Sequence, residues 1–146
     1  MTSSPAASMP AHFAGSLPNF LSGRINYVPI HFVYNSIPPD ELTALYTTAD
    51  ACFITSTRDG MNLVCYEYVA CHNEKAVKAS QEINPRGVLV LSRFAGAANV
   101  LEGSLVVNPW DQESCADALQ SAFNMSATEA SRRMKLLGDK VEQQTR

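Results

Sequence analysis

Residues 51–72, ACFITSTRDGMNLVCYEYVACH, decide the fold. The short apolar run ACFIT is consistent with a strand covered on both faces, since a strand inside a parallel sheet shows a continuous apolar run rather than alternation. It stops at the charged turn Arg58-Asp59-Gly60. Asn62 can then cap a helix expected from about Leu63 to Asn73. Strand, turn and helix make one β-α unit, and the same alternation continues downstream. GVLVLS (87–92) is the clearest buried strand, RFAGAANVLEG (93–103) a short helix, SLVVN (104–108) a strand and PWDQESCADALQSAFN (109–124) a helix. Strands alternating with helices predict an α/β domain, a parallel sheet with helices flanking it.

Working outward, NSIPPDELTALYTTAD (35–50) opens with turn chemistry and becomes helical. Pro39 suits a first turn, Asp40 and Glu41 suit its positive end, and Leu42, Leu45 and Tyr46 form one face. INYVPIHFV (25–33) is a plausible strand whose Pro29 places it at an edge or near a strand start. Residues 125–146 form an amphipathic helix in which Ser126 and Glu129 have capping-box spacing. Residues 73–86 are polar and end in Asn-Pro, a surface loop or helix extension. Residues 1–24 mix Ser, Ala, Pro and Gly without period and read as an irregular tail, which leaves residues 25–146 as the domain.

Composition narrows the function classes. The chain has 146 residues, 46% hydrophobic and 17% charged, with a formal net charge of -3. That size suits one compact core, and the absence of a basic surplus argues against nucleic acid or an anionic membrane as partner. No run of about 18 apolar residues occurs, so no membrane span is expected. Residues 1–22 hold no basic residue and no apolar block of signal-peptide length, so the cytosol is the expected location. Cys52, Cys65, Cys71 and Cys115 form no C-x-x-C pair and are expected to be buried, reduced thiols; no metal site is indicated. His31, on an apolar strand, is expected to be a core histidine, and His12 and His72 have no evident catalytic partner.

The turn at 58–62 falls where open parallel sheets bind ligands, beyond the carboxyl end of a strand and at the start of a helix. Gly60 permits close backbone approach, and the N–H groups of Leu63 and Val64 are free to face an anion. Glu67 lies four residues after Leu63, on the same face and roughly 5.4 Å further along. A diphosphate at the first turn would therefore leave a carboxylate one turn on, able to accept two hydrogen bonds from ribose hydroxyls. Asp59 could hold hydroxyls of a sugar beyond the phosphates. Spacing alone leaves other roles open: Glu67 could be a solvated helix residue, and Arg58 could neutralise phosphate or pair with an acid. The small residues Ala95, Gly96, Ala97 and Ala98 could line the same crevice or serve helix packing.

ALYTTADACFITSTRDGMNLVCYEYVAC, GVLVLSRFAGAANVL and VVNPWD, in this order, closely resemble the carboxyl-terminal half of the trehalose-6-phosphate synthase family. The likeness runs well from about Tyr27 to Gln120 and more weakly to the end. It implies an incomplete Rossmann-like sheet, part of the C-terminal domain of a GT-B retaining glycosyltransferase. The whole enzyme would transfer glucose from UDP-glucose to glucose 6-phosphate and release UDP. Carried over by position, Asp59, Gly60, Met61 and Asn62 would hold donor glucose, Leu63 and Val64 the diphosphate and Glu67 the ribose, with Ile37 beside the uracil. No cofactor is implied; UDP-glucose or UDP is the expected ligand, and a full-length synthase or the absent N-terminal domain the expected protein partner. The family's basic phosphate-binding R-x-D-Y-x-K-G-like segment has no counterpart here, and Arg93 stands where an acid or amide is usual. The competing classes are a noncatalytic regulatory module bound to a full-length synthase and a nicotinamide-binding domain; no G-x-G-x-x-G supports the latter.

Overall fold

The computed structural model describes residues 30–72 and 87–144, so the expected tail at 1–24 and the polar stretch at 73–86 lie outside the described residues. The chain divides into two units, Met1–Ser36 and Ile37–Arg146. In the first, the described residues 30–36 carry no strand. The Phe32 and Tyr34 rings stack with centroids 6.2 Å apart. This corrects the strand expected over 25–33 for its described part. Alternating apolar residues make a strand only where a neighbour takes up their N–H and C=O groups, and no described strand pairs with this segment. His31 is exposed, not a core residue.

The second unit begins with α1 (Pro39–Thr48), where Pro occupies the first turn and Asp40 and Glu41 face the positive end. Then come β1 (Ala51–Ile54), α2 (Leu63–Cys71), β2 (Val88–Ser92), a single 3-10 turn (Gly96–Asn99), β3 (Leu105–Val107), α3 (Gln112–Asn124) and α4 (Ala127–Gln144). The strands form one parallel sheet in the order β1-β2-β3, with Phe53 opposite Val90 and Leu91 opposite Val106. The α/β layering expected from the alternation is present: a partial Rossmann-like sheet.

β2 is buried along its whole length, as its unbroken VLVLS run requires. Its side chains divide by parity between two clusters. Leu89 and Leu91 pack with Cys65, Tyr68 and Val69 of α2 and with Met134 and Leu137 of α4. Val88 and Val90 pack with Val107, with Ala122 of α3 and with Ala130 at the start of α4. Helices thus cover both faces. β1 differs from expectation: it pairs on one side only among the described residues, and Phe53 is 37% exposed, so this strand is covered incompletely.

Three expected helices are trimmed for local reasons. The stretch 93–103 is not a helix beyond one 3-10 turn, because the Gly96 N–H donates to the Asp59 carbonyl (2.9 Å) instead of continuing a helical ladder. α3 starts at Gln112, not at Pro109: the Asp111 N–H closes a turn on the Asn108 carbonyl, and the Asp111 carboxylate caps the helix. α2 ends at Cys71 with His72 as its C-cap. The capping box of α4 is half formed. Ser126 Oγ accepts from the Glu129 N–H, while the Glu129 carboxylate turns to Arg132 and Arg133, which hold its pKa well below the usual carboxylate range. No described helix is long and apolar enough to cross a membrane.

Candidate functional site

The turn between β1 and α2 is organised by Asp59 and Asn62. Asp59 Oδ1 accepts from the N–H groups of Met61 (3.2 Å) and Asn62 (3.0 Å), and its Oδ2 accepts from Asn62 Nδ2 (2.8 Å). These bonds, led by the one from the Asn62 side chain, pull the Asp59 carboxyl below its ordinary pKa. Asn62 sits in the left-handed region, at φ 62°, a conformation Asn tolerates better than most residues. That geometry aims its Oδ1 at the Cys65 N–H (3.1 Å) and leaves its carbonyl for the Cys65 thiol.

The second loop joins the first. Asp59 and Ala95 form an isolated parallel bridge: the Asp59 N–H donates to the Phe94 carbonyl, and the Gly96 N–H returns a bond to Asp59. A Cβ on Gly96 would run into the Gly60 carbonyl, so the chains meet at a distance only glycine allows. The two loops RDGMN and SRFAGAAN are therefore joined backbone to backbone, which gives the small residues at 95–98 a packing role. Gly60 is the contrast, since a Cβ there would meet nothing within 4 Å. Packing in the described chain does not call for glycine at 60; a ligand lying against it would.

At the helix start, Cys65 N–H is taken by the Asn62 cap, whereas the N–H groups of Leu63 and Val64 have no acceptor among the described residues. Both side chains are exposed, Leu63 at 63%. α2 has no acid in its first turn; the carboxylate of Asp59 lies just ahead of it, held on the Met61 and Asn62 N–H groups, and leaves those of Leu63 and Val64 untouched. One turn along, Glu67 is exposed and its Oε2 accepts from the Tyr46 hydroxyl of α1 at 3.3 Å. Burial, and next the Glu67 charge, push the Tyr46 hydroxyl up to about 12, so it is a donor at any physiological pH.

Other singled-out residues fall around this centre. Arg58 is exposed and in no ion pair among the described residues. Ile37 is half-buried, two residues ahead of α1. All four cysteines are free, but only Cys65 is fully buried; burial pushes Cys52 and Cys65 up to about 11, keeping them protonated. His72, without a role in the sequence reading, is buried against Tyr68 with both ring nitrogens unpartnered among the described residues, and burial lowers its pKa to about 4. A separate open cleft of about 500 Å³ beyond β3 is lined by Arg93, Asn99, Val106, Asn108, Asp111 and Ser114 among others, and contains none of residues 58–67. Tyr46 is the site residue that sequence reasoning took only for a face of α1. Twenty-one positions separate it from Glu67, and no local pattern announces the contact.

Comparison with known proteins gives a consistent set of relatives. The family model for glycosyltransferase family 20 matches residues 17–146, starting ahead of Tyr27, where the motif likeness begins. An alpha,alpha-trehalose-phosphate synthase [UDP-forming] 2 of Aspergillus fumigatus is 48% identical over 115 residues, 79% of this chain and 22% of that protein. The 56 kDa subunit of the Saccharomyces cerevisiae enzyme of that name is 46% identical over 117 residues, 75% of this chain and 22% of that protein. A crystal structure of an alpha,alpha-trehalose-phosphate synthase (UDP-forming) from Burkholderia xenovorans, in complex with glucose-6-phosphate, superimposes with a TM-score of 0.72 at 38% identity. It covers 82% of this chain and 25% of its own. The chain thus spans about a fifth of the length of the curated relatives it matches.

Proposed function

We infer the function from one premise: the chain belongs to glycosyltransferase family 20. It supplies the donor-recognition side of a UDP-forming alpha,alpha-trehalose-phosphate synthase, the activity for which its relatives are named. The observation that carries this reading is the start of α2, where two unpartnered N–H groups in a first turn without an acid sit one turn from the exposed Glu67 carboxylate.

In this reading the diphosphate of UDP-glucose takes the Leu63 and Val64 N–H groups. The ribose hydroxyls donate to Glu67, an acceptor-only group when ionised. Ile37 borders the uracil. Donor glucose lies against Gly60, whose missing side chain leaves the space open, and bonds to the lone pairs of Asp59 and the carbonyl of Met61 that the turn does not use, while the Asn62 carbonyl is taken by the Cys65 thiol. The N–H groups of Met61 and Asn62 are already committed to Asp59, so they hold the loop in shape instead of touching the sugar. Transfer breaks the bond between the anomeric carbon and the β-phosphate oxygen. The acceptor hydroxyl of glucose 6-phosphate forms the new bond on the same face, and its proton passes to the departing phosphate. Such a step needs positive groups at the leaving diphosphate; the α2 N-terminus supplies one, and Arg58 is free of acids among the described residues. Acceptor contacts lie outside the described residues, in a further domain or a partner synthase.

Calorimetric titration of UDP and UDP-glucose tests the reading. Binding is expected, and Glu67→Gln should weaken UDP about tenfold, the scale of a lost charge-assisted hydrogen bond. A folded sample that binds neither ligand contradicts it.

A further inference from the structure

We propose that Tyr46 is a positioning residue, which fixes the Glu67 carboxylate in the orientation that accepts a ribose diol; this rests on the donor-site reading above. The geometry supplies three links. The Tyr46 hydroxyl donates to Glu67 Oε2 across 3.3 Å. The Tyr46 ring is in turn held edge-on by Tyr68, with centroids 6.2 Å apart and planes at 84°. Tyr68 is wholly buried, and its own hydroxyl donates to the Ala49 carbonyl at the C-terminus of α1 (3.2 Å). The rigid end of this chain is the core, and the adjustable end is an exposed glutamate.

An exposed glutamate on a helix samples several rotamers, and freezing them on binding costs conformational entropy. A donor that already engages one oxygen removes part of that cost, which is preorganisation of the site. Tyr46 takes one lone pair on Oε2 and leaves Oε1 and the remaining Oε2 pair for two hydroxyls. With its pKa near 12 the phenol remains the donor and does not compete for the ribose protons.

Because Phe keeps the ring on Tyr68 and removes only the hydroxyl, Tyr46→Phe isolates the effect. UDP and 2′,3′-dideoxy-UDP, which lacks the diol, are titrated against the wild-type protein, Tyr46→Phe, Glu67→Gln and the double variant. UDP affinity should fall about threefold to fivefold in Tyr46→Phe, dideoxy-UDP affinity should not change, and Tyr46→Phe should add no loss on a Glu67→Gln background. A Tyr46→Phe protein that loses affinity for both ligands alike would show a merely structural role and overturn the proposal. So would unchanged UDP binding in Tyr46→Phe while Glu67→Gln weakens it, and that outcome leaves the donor reading standing. If Glu67→Gln itself leaves UDP binding unchanged, the donor reading fails and the positioning role with it.

Discussion

Helices α2 and α3 each follow a strand of the same parallel sheet, and each is capped by the side chain just before it. Asn62 Oδ1 accepts from the Cys65 N–H, and Asp111 Oδ1 from the Ser114 N–H. Their first turns then diverge. α3 carries its own anions, the Asp111 cap and Glu113, whereas α2 begins Leu-Val-Cys with no acid in the turn and a neutral cap. Among the described helices α1 and α4 also place acids there, Asp40 and Glu41 in one and Glu129 in the other. A helix end whose dipole is met by its own carboxylates is a stability device. One whose first turn holds no acid and whose Leu63 and Val64 N–H groups stay unpartnered, behind a turn built from an Asp59-Asn62 clamp and a glycine facing open space, has room for someone else's anion. The two helices show how the same backbone geometry becomes structure in one place and a candidate site in the other.

The largest expected effect lies at the far end of α2, where the helices also differ. α3 buries only Ala122, but α2 ends on the buried His72. Its folded pKa of about 4 lies below the ordinary 6.5. The neutral form is thus the one the fold accepts, and the stability it contributes is present above pH 6.5 and lost as pH falls from 6.5 toward 4. The loss is on the order of 3 kcal/mol. Urea unfolding at pH 7 and pH 4.5 should show it, and a His72→Leu variant should flatten that slope; an unchanged slope would mean that other groups carry the acid sensitivity.

Next in size is Gly96→Ala. Its Cβ must displace the Gly60 carbonyl and with it the turn that aims α2, so UDP affinity should drop about a hundredfold, the loss of two charge-assisted hydrogen bonds. Retained affinity in a folded Gly96→Ala protein would show that the joined loops tolerate a wider separation. Smaller again, Leu63→Asp gives α2 the kind of first turn that α3 has. UDP binding should weaken about tenfold through charge repulsion, while thermal stability stays level or rises, by roughly 0.3–1 kcal/mol, because the acid complements the dipole. If both fell together, the bare helix start would be a packing requirement and not a site.

Much of this architecture was legible because it depends on neighbours in sequence. The unbroken apolar run of β2, the Asn62 cap and the bare first turn of α2 are properties of a few consecutive residues, and so is the four-residue offset of Glu67. What escaped depends on partners far along the chain. The run at 30–33 has a strand's residues but no described neighbour to pair with. Ala-Gly-Ala-Ala at 95–98 has a helix's residues, yet its Gly96 N–H is drawn to Asp59 instead. At Asp59 the left-handed turn at Asn62 bends the Met61 and Asn62 N–H groups back onto the carboxylate, bonds that the spacing did not announce. Tyr46 meets Glu67 only because α1 and α2 pack side by side, and His72 is buried by Tyr68, one turn before it, once α2 lies on the sheet. Motif likeness pointed to the candidate site; the hydrogen bonds within it depend on the folded arrangement.

The most direct test of the difference between the two helix starts is a UDP titration followed by the backbone amide resonances of the isotopically labelled protein. The Leu63 and Val64 amides should move strongly and saturate together with Gly60 and Glu67, while those of Gln112 and Glu113 at the start of α3 stay in place. Equal movement at both helix starts, or movement at α3 alone, would contradict the account.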